Sequence, residues 1–553
     1  MKQPFKIFAT ALIVLITHTA SAQLMQKKET YTRADTLRGM LTPLRTCYDI
    51  NYYHLDVKFN IDQKSLSGST LFKFTSTQNF TKLQFDLYAN LTVDKVVYKG
   101  KTLSFTREAN AVFVTFPATI AKDSKDEFTV YYSGKPTVAK NAPWDGGVVF
   151  KTDSLGKPWV ATACQGAGAS IWWPTKDHQA DEVDSMLISI SVPPGLKDIS
   201  NGRLRKTTTL PDGYTRFDWF VANPINNYDV AANIGDYTHF DDSYDGEKGK
   251  LTLDYWVLTY NLDKAKKQFG QDVKRMLKAF ENWFGPYPFY EDGYKLVETP
   301  HLGMEHQSAV AYGNKYRNGY LGRDLSGTGR GLNWDFIIVH ESGHEWFGNN
   351  ITAKDIADMW VHEGFTCYSE SLFIETYYGK QAALAYIQGL RRNIQNDIPI
   401  IGPYNVNKEG SGDMYFKGSN LLGMIRTLIN NDDKWHGILR GLNKTFYHQT
   451  VTTEQVESYI NEQAGISFTP LFDQYLRHPN IPTLNVKFEN GKVYAKWTAD
   501  IKGFNIPIRL RKKGGDYYFI KLDSEYAAIQ LPGLTKENLE IDTLEYYIKV
   551  EME

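Results

Sequence analysis

The sequence predicts a multidomain α+β protein with an N-terminal antiparallel β domain, a mainly helical central domain and a small C-terminal β-sandwich. Three observations predict it. A length of 553 residues is too great for one ordinary domain. Apolar residues alternate up to about Tyr237, recur with helical spacing from about residue 260, and alternate again from Pro482. A composition of 42% hydrophobic and 23% charged residues is that of a globular chain.

The N-terminus reads as a secretory signal over residues 1–22. Lys2 and Lys6 form its charged start, Ile7 to Ile16 is its apolar run, and Ala20-Ser21-Ala22 is a small-x-small cleavage site. The mature chain is expected to begin near Gln23, without a membrane anchor, because spanning a bilayer takes about 18 apolar residues. The absence of a Cys after the run argues against a lipoprotein. The protein is therefore expected to be secreted or periplasmic. A net charge of -1 gives no electrostatic reason to bind nucleic acid or an anionic membrane. Cys47, Cys164 and Cys367 allow one disulfide at most, so stability must rest on large cores.

The N-terminal β domain is expected over 46–248. Tyr53, Leu55, Val57, Phe59 and Ile61 alternate with His54, Asp56, Lys58 and Asn60, which makes a half-buried strand; Phe128 to Tyr132 is another. The central domain is expected over 249–480. Helical spacing runs through Asp263 to Trp283, Trp334 to Gly348, Val361 to Tyr378, Leu421 to Ile429 and Thr453 to Ala464. The β-sandwich is expected over 481–553. Leu484, Val486 and Phe488 face Val493, Ala495 and Trp497 across an Asn490-Gly491 turn.

The chemistry lies in the helical domain. His340-Glu341-Ser342-Gly343-His344 places two imidazoles at i and i+4, on one helix face, where both reach one ion. A catalytic zinc takes three protein ligands and keeps a fourth position open, and Glu363 is the third candidate. Asp355, Asp358 and Glu370 compete with it. Glu363 is preferred because Trp360-Val361-His362-Glu363-Gly364-Phe365 opens the next helical pattern. A chance H-E-x-x-H in such a chain has odds on the order of one in a hundred. Glu341 is the candidate general base for water acidified by the metal. A donor to the oxyanion is also needed, and spacing alone selects none of the 35 tyrosines. Cys367 lies four residues past Glu363 and reads as a small buried hydrophobe. The sequon Asn350-Ile351-Thr352 adjoins the site and is expected to be bare.

With these motifs the chain resembles the gluzincin aminopeptidases, the family of alanyl aminopeptidase and leukotriene hydrolase. The likeness covers nearly the whole mature chain and is strongest from His340 to Asn349 and from Trp360 to Phe365. It implies a thermolysin-like catalytic domain with one zinc per chain on His340, His344 and Glu363. Gly303-Met304-Glu305-His306 resembles the family's Gly-x-Met-Glu-Asn segment. That implies that Glu305 binds a peptide's free α-amine, with Gly303 and Met304 lining the edge that pairs with substrate. Tyr415-Phe416-Lys417-Gly418 resembles the family's Tyr-x-Lys-Gly, which selects Tyr415 as the oxyanion donor. Gln165, in Cys164-Gln165-Gly166-Ala167, resembles a glutamine that lines the substrate cleft, and Trp172 to Asp177 is a looser match read as structural.

The chain departs from the family at His306 and His362, where Asn is usual, and it lacks the large helical C-terminal domain of many members, so a more open cleft is expected. The resemblance implies a zinc aminopeptidase acting on peptides. The rival readings are a zinc endopeptidase, a lipid-acting relative, and a catalytically silent peptide-binding protein of the same fold.

Overall fold

The computed structural model describes residues 30–553, so the expected signal segment and its cleavage site lie outside the described residues. The N-terminal region is built on a ten-stranded sheet. Its longest strand, Tyr48–Asn60, lies between Ser65–Ser76 and Ser185–Val192. The alternation read in the sequence is real: Tyr53, Leu55, Val57 and Phe59 are buried, and the residues between them are half-buried. Phe72 and Phe128, from neighbouring strands, stack beneath this layer with ring centres 4.5 Å apart. One pairing departs from the antiparallel expectation. Tyr48–Asn60 runs parallel to Ser185–Val192, with Leu55 opposite Ile188. Alternation reports which way side chains face and not the direction of the neighbouring strand.

A second, four-stranded sheet includes Gly147–Thr152 and Pro158–Ala163. Its strand Pro158–Ala163 ends immediately before Cys164-Gln165 and so delivers that segment toward the helical domain.

The central region begins on a five-stranded sheet ordered Tyr237–Gly246, Gly249–Leu258, Tyr294–Glu298, Val310–Tyr312, Gly303–Met304. The boundary expected near 248 falls in the turn of its first hairpin. Gly303–Met304 pairs antiparallel with Val310–Tyr312 and is the last strand, so its other side is open.

Helix Leu262–Phe284 buries Phe269, Val273, Met276 and Phe280, one face at helical spacing. It packs on Phe336–Gly343 and Trp360–Tyr378. The latter is buried on all sides from Trp360 to Ile374. Helix Thr453–Ala464 closes with a Thr452–Gln455 capping box and Gly465 in the left-handed region. Helices Lys380–Leu390, Phe416–Ile429, Asp432–Thr445 and Thr469–Arg477 complete the domain. No helix among the described residues is long and apolar enough to cross a membrane.

The segment from Trp334 to Gly348 is not one helix. The regular helix is Phe336–Gly343, and the following turn breaks at Phe347 and Gly348, which leave helical backbone angles (φ -127° and 140°). Only glycine adopts the Gly348 conformation readily. The break lies beyond His344, whose own angles are still helical, so the i, i+4 geometry of the histidines survives.

The C-terminal strands form two small sheets, one including Thr483–Glu489 and Lys492–Thr498, the other Ile508–Lys512 and Leu539–Ile541. Asn490 and Gly491 both have positive φ, as a two-residue hairpin turn requires. Among the described residues all three cysteines are free and buried.

Candidate metal centre and cleft

Asp335 fixes the start of the helix that carries the histidines. Its carboxylate accepts from the backbone N–H groups of Ile337 and Ile338 and from the side chains of Asn314, Gln268 and Tyr312. One turn further along, His340 and His344 project from the same face. Each ring is pinned through Nδ1. His340 Nδ1 lies 2.7 Å from Glu370 Oε1, and Glu370 Oε2 accepts from the Tyr386 hydroxyl at 2.6 Å. His344 Nδ1 lies 3.0 Å from the carbonyl oxygen of Phe347, a group set free by the helix break. With both Nδ1 atoms engaged, both Nε2 atoms point inward.

Glu363 meets them from the next helix. Its Oε2 is 3.3 Å from His344 Nε2 and 3.7 Å from His340 Nε2. Its Oε1 accepts from Gln165 Nε2 at 3.1 Å, a bond across 198 positions of sequence. Glu363 Oε2 is buried and has no hydrogen bond. Tetrahedral zinc with bonds of about 2.0–2.1 Å sets neighbouring ligand atoms about 3.3 Å apart. Two imidazole nitrogens and an orphaned carboxylate oxygen at 3.3–3.7 Å therefore fit zinc.

Donor atoms of His340, Glu341 and His344 also lie within 4.8 Å of one another. This raises the question of whether Glu341 or Glu363 is the third ligand. Glu363 is favoured because its Oε2 is the orphaned atom facing both Nε2 positions, while Glu341 is half-buried and borders the open cleft. Burial opposes ionisation of Glu363, but His344 and His340 hold its carboxyl well below the usual range. Burial raises the carboxyl of Glu341 to about 7, against the pull of the two imidazoles. The competing carboxylates are accounted for. Asp358 accepts from Thr453 and Tyr404, Asp355 from the Ala357 N–H, and Glu370 braces His340.

A cleft of about 870 Å³ lies over these groups. Gly303 and Met304 edge it. A Cβ on Gly303 would sit 2.6 Å from Glu341 Oε1, so a side chain there would collide with Glu341. Glu305 is 1% exposed, lines the cleft, and its Oε1 has no partner. Its carboxyl is raised, first by burial and then by the charge of Glu363, with His344 opposing. The Tyr415 ring lies nearly parallel to His340, with ring centres 6.1 Å apart, and its hydroxyl is turned toward Glu363.

Both departures from the family motif are buried and neutral. His362 accepts the Ala353 N–H at Nε2, 2.7 Å away, tying strand Ile351–Ala353 to the helix of Glu363. Burial pushes His362 and His306 down to about 3. Neither ring nitrogen of His306 has a partner. Asn350 is buried and bonded to Asn443, as a bare sequon requires. Trp172 and Trp173 are core residues. Cys367 is in the core and its thiol is pushed up by burial.

Sequence reasoning missed the Phe347 carbonyl, Tyr386 and Glu409. Glu409 lines the cleft, and burial raises it to about 7. Glu370 was readable in part, because seven residues past Glu363 is the same helix face.

Residues 270–475 match the Peptidase family M1 domain. Leukotriene A-4 hydrolase of Xenopus laevis is 22% identical over 475 residues, covering 80% of this chain and 73% of that protein. Leucyl aminopeptidase of Saccharolobus solfataricus is 20% identical over 458 residues, 80% of this chain and 55% of that protein. The chain thus spans about half the length of this archaeal relative. Among solved structures, an M1 zinc metallopeptidase from Deinococcus radiodurans superposes with a TM-score of 0.64 at 20% identity, covering 78% of this chain and 94% of that one. A mutant of an M1 zinc metallopeptidase from the same organism, bound to a Tyr-Ser-Ala substrate, gives 0.65 at 18% identity, with 78% and 95% covered. These likenesses show that the fold is shared.

Proposed function

We propose that this chain is a zinc aminopeptidase removing N-terminal residues from peptides, a reading supported by the match of residues 270–475 to the Peptidase family M1 domain and by relatives named aminopeptidases. The observation that carries this reading is Glu305, a buried carboxylate with a free oxygen in the same cavity as the metal donors. A carboxylate buried without a partner is costly unless a cation arrives to pair with it. A peptide's α-ammonium is such a cation. The Tyr-Ser-Ala substrate named for one structural neighbour and the aminopeptidase names of relatives support a peptide with a free N-terminus.

His340, His344 and Glu363 would hold zinc, which would supply Lewis acidity to the scissile carbonyl and the attacking water. Glu305 binds the ammonium and so decides which peptide bond lies over the histidines. Gly303–Met304 pairs with the substrate backbone through its open edge. Glu341 takes the water's proton on a carboxylate oxygen and returns it to the leaving amine nitrogen. Tyr415 donates its hydroxyl to the carbonyl oxygen as that oxygen gains charge, a contribution of roughly two to three orders of magnitude in turnover. Gln165 holds Glu363 through its second oxygen.

The test is a panel of aminoacyl fluorogenic amides and matched N-acetylated peptides, with and without chelator. Free-amine substrates should be cleaved at least about a hundredfold faster than blocked ones, and chelation should abolish both activities. Equal rates on blocked and free substrates would instead support the endopeptidase reading. Export is part of the proposal and rests on the N-terminal 22 residues; a chain purified from a periplasmic fraction should begin near Gln23.

A further inference from the structure

A second cavity, of about 480 Å³, adjoins the catalytic cleft. The two share Trp144 and Leu302 as a common wall. The second is lined by aromatic side chains, including Trp159, Tyr260 and Tyr316, and His301 contributes to it. Trp144 is 65% exposed and Tyr260 39%, high values for such large apolar groups. His301 is 4% exposed and lines the cavity, yet neither of its ring nitrogens makes a hydrogen bond of normal geometry, although the backbone of Gly303 and Thr162 lies near. Burial pushes it down to about 4, which leaves a neutral imidazole at the cavity wall. Nothing in the catalytic cycle uses these groups.

The direction of the edge strand relates the two cavities. Gly303–Met304 runs toward Glu305 and has one open side. A peptide with its amine at Glu305 and its backbone on that side must run the opposite way, antiparallel to the strand. Peptide and strand advance at about the same 3.3 Å per residue. The first residues of the peptide lie along Met304 and Gly303; the chain bends at 300–302, and the residues that follow leave the edge at Leu302, part of the wall the two cavities share.

We infer that the second cavity is a subsite for the downstream residues of the peptide, seating a large apolar or aromatic side chain between Trp144 and Tyr260 while His301 hydrogen-bonds the peptide backbone. The inference rests on the aminopeptidase reading and adds to it a preference for substrate length and composition. Aromatic walls give contact area at low entropic cost, and a neutral imidazole matches the amide backbone better than a charged group does.

The test compares three substrates: an aminoacyl amide that reaches only the catalytic cleft, and free-amine hexapeptides carrying Phe or Asp at positions three to five. The Phe hexapeptide should exceed the Asp hexapeptide in kcat/KM by about tenfold, the effect of partly burying one large apolar side chain. Tyr260→Ala, which removes a wall, and Ser154→Trp, which fills the cavity, should each abolish that advantage and leave aminoacyl-amide turnover unchanged. In a Glu341→Gln background the Kd of the Phe hexapeptide reports the same contact without turnover and should rise about tenfold with Tyr260→Ala. Variants that keep the Phe preference and the Kd of the wild type would overturn the subsite. Failure of the wild type to cleave any aminoacyl amide would refute the aminopeptidase reading instead, and the binding measurement would still decide the cavity.

Discussion

The two ends of the cleft are built on opposite principles. At the metal end the ligand atoms that face away from the ion position are engaged. Glu370 and the Phe347 carbonyl hold the two imidazoles, and Gln165 holds one oxygen of Glu363. At the amine end Glu305 Oε1 and both ring nitrogens of His306 are buried without partners. The first end is arranged to hold its ligand geometry rigid before substrate arrives. The second leaves a charge unsatisfied so that substrate completes it. Changes at the metal end should therefore cost metal affinity, and some changes at the amine end should raise stability while they lower activity.

The metal end itself contains a contrast between a backbone brace and a side-chain brace. Gly348→Ala should have the largest effect. Gly348 has φ 140°, and a Cβ there would lie 3.2 Å from His344 Nδ1. Strain of roughly 1–3 kcal/mol would either persist or move the turn that presents the Phe347 carbonyl. Zinc affinity, measured by chelator competition, should fall by about a hundredfold, which corresponds to the top of that range. Glu370→Ala removes only the side-chain brace on His340 and should cost about 10–100-fold. Wild-type zinc affinity in both variants would show that the braces do not set the metal site.

This contrast also marks what the sequence made legible. The His340–His344 pair was readable because helix geometry is local, and the helix Phe336–Gly343 reaches far enough to preserve it. The break at Phe347 and Gly348 was not, although a glycine closing an apolar run is a helix-stop signal. Glu363 is preferred over Asp355, Asp358 and Glu370 from where the next helical pattern opens, and the hydrogen-bond partners of the other three support that preference. Gln165 depended on resemblance, since its contact joins positions 198 apart. The parallel pairing of Tyr48–Asn60 with Ser185–Val192 escaped for a related reason: facing is encoded locally and pairing is not. Trp144 and the second cavity carried no motif at all.

Acid should weaken the fold around the cleft, through His301 and His306 beside the amine end as through His362 at the metal end. His301 and His306 are buried and neutral, with pKa values pushed down to about 4 and about 3. Their folded values lie below the unfolded value of about 6.5. The stability they contribute is therefore complete above that value and lost as pH falls below it, because the unfolded chain binds protons that the folded one excludes. At pH 5 each should cost about 2 kcal/mol relative to neutral pH. Denaturant titrations at pH 7.5 and pH 5 measure the difference, and His306→Asn should remove about half of this pair's share. An unchanged pH dependence in that variant would mean that the ring is protonated in the folded protein.

The smallest effect separates the two ends most cleanly. Glu305 has a free buried oxygen, and its charge, with that of Glu345, pushes the carboxyl of the buried Asp229 further up. Glu305→Gln keeps the shape and removes the charge. Replacing an unpaired buried charge commonly raises stability by about 1 kcal/mol, so the variant should melt a few degrees higher than the wild type. It should also lose most of its discrimination between free-amine and N-acetylated substrates. A gain in stability with a loss of amine selectivity is the signature of a charge held for a ligand. If Glu305→Gln melts lower, the carboxylate is already paired within the folded protein, and its role as an amine anchor loses its physical basis.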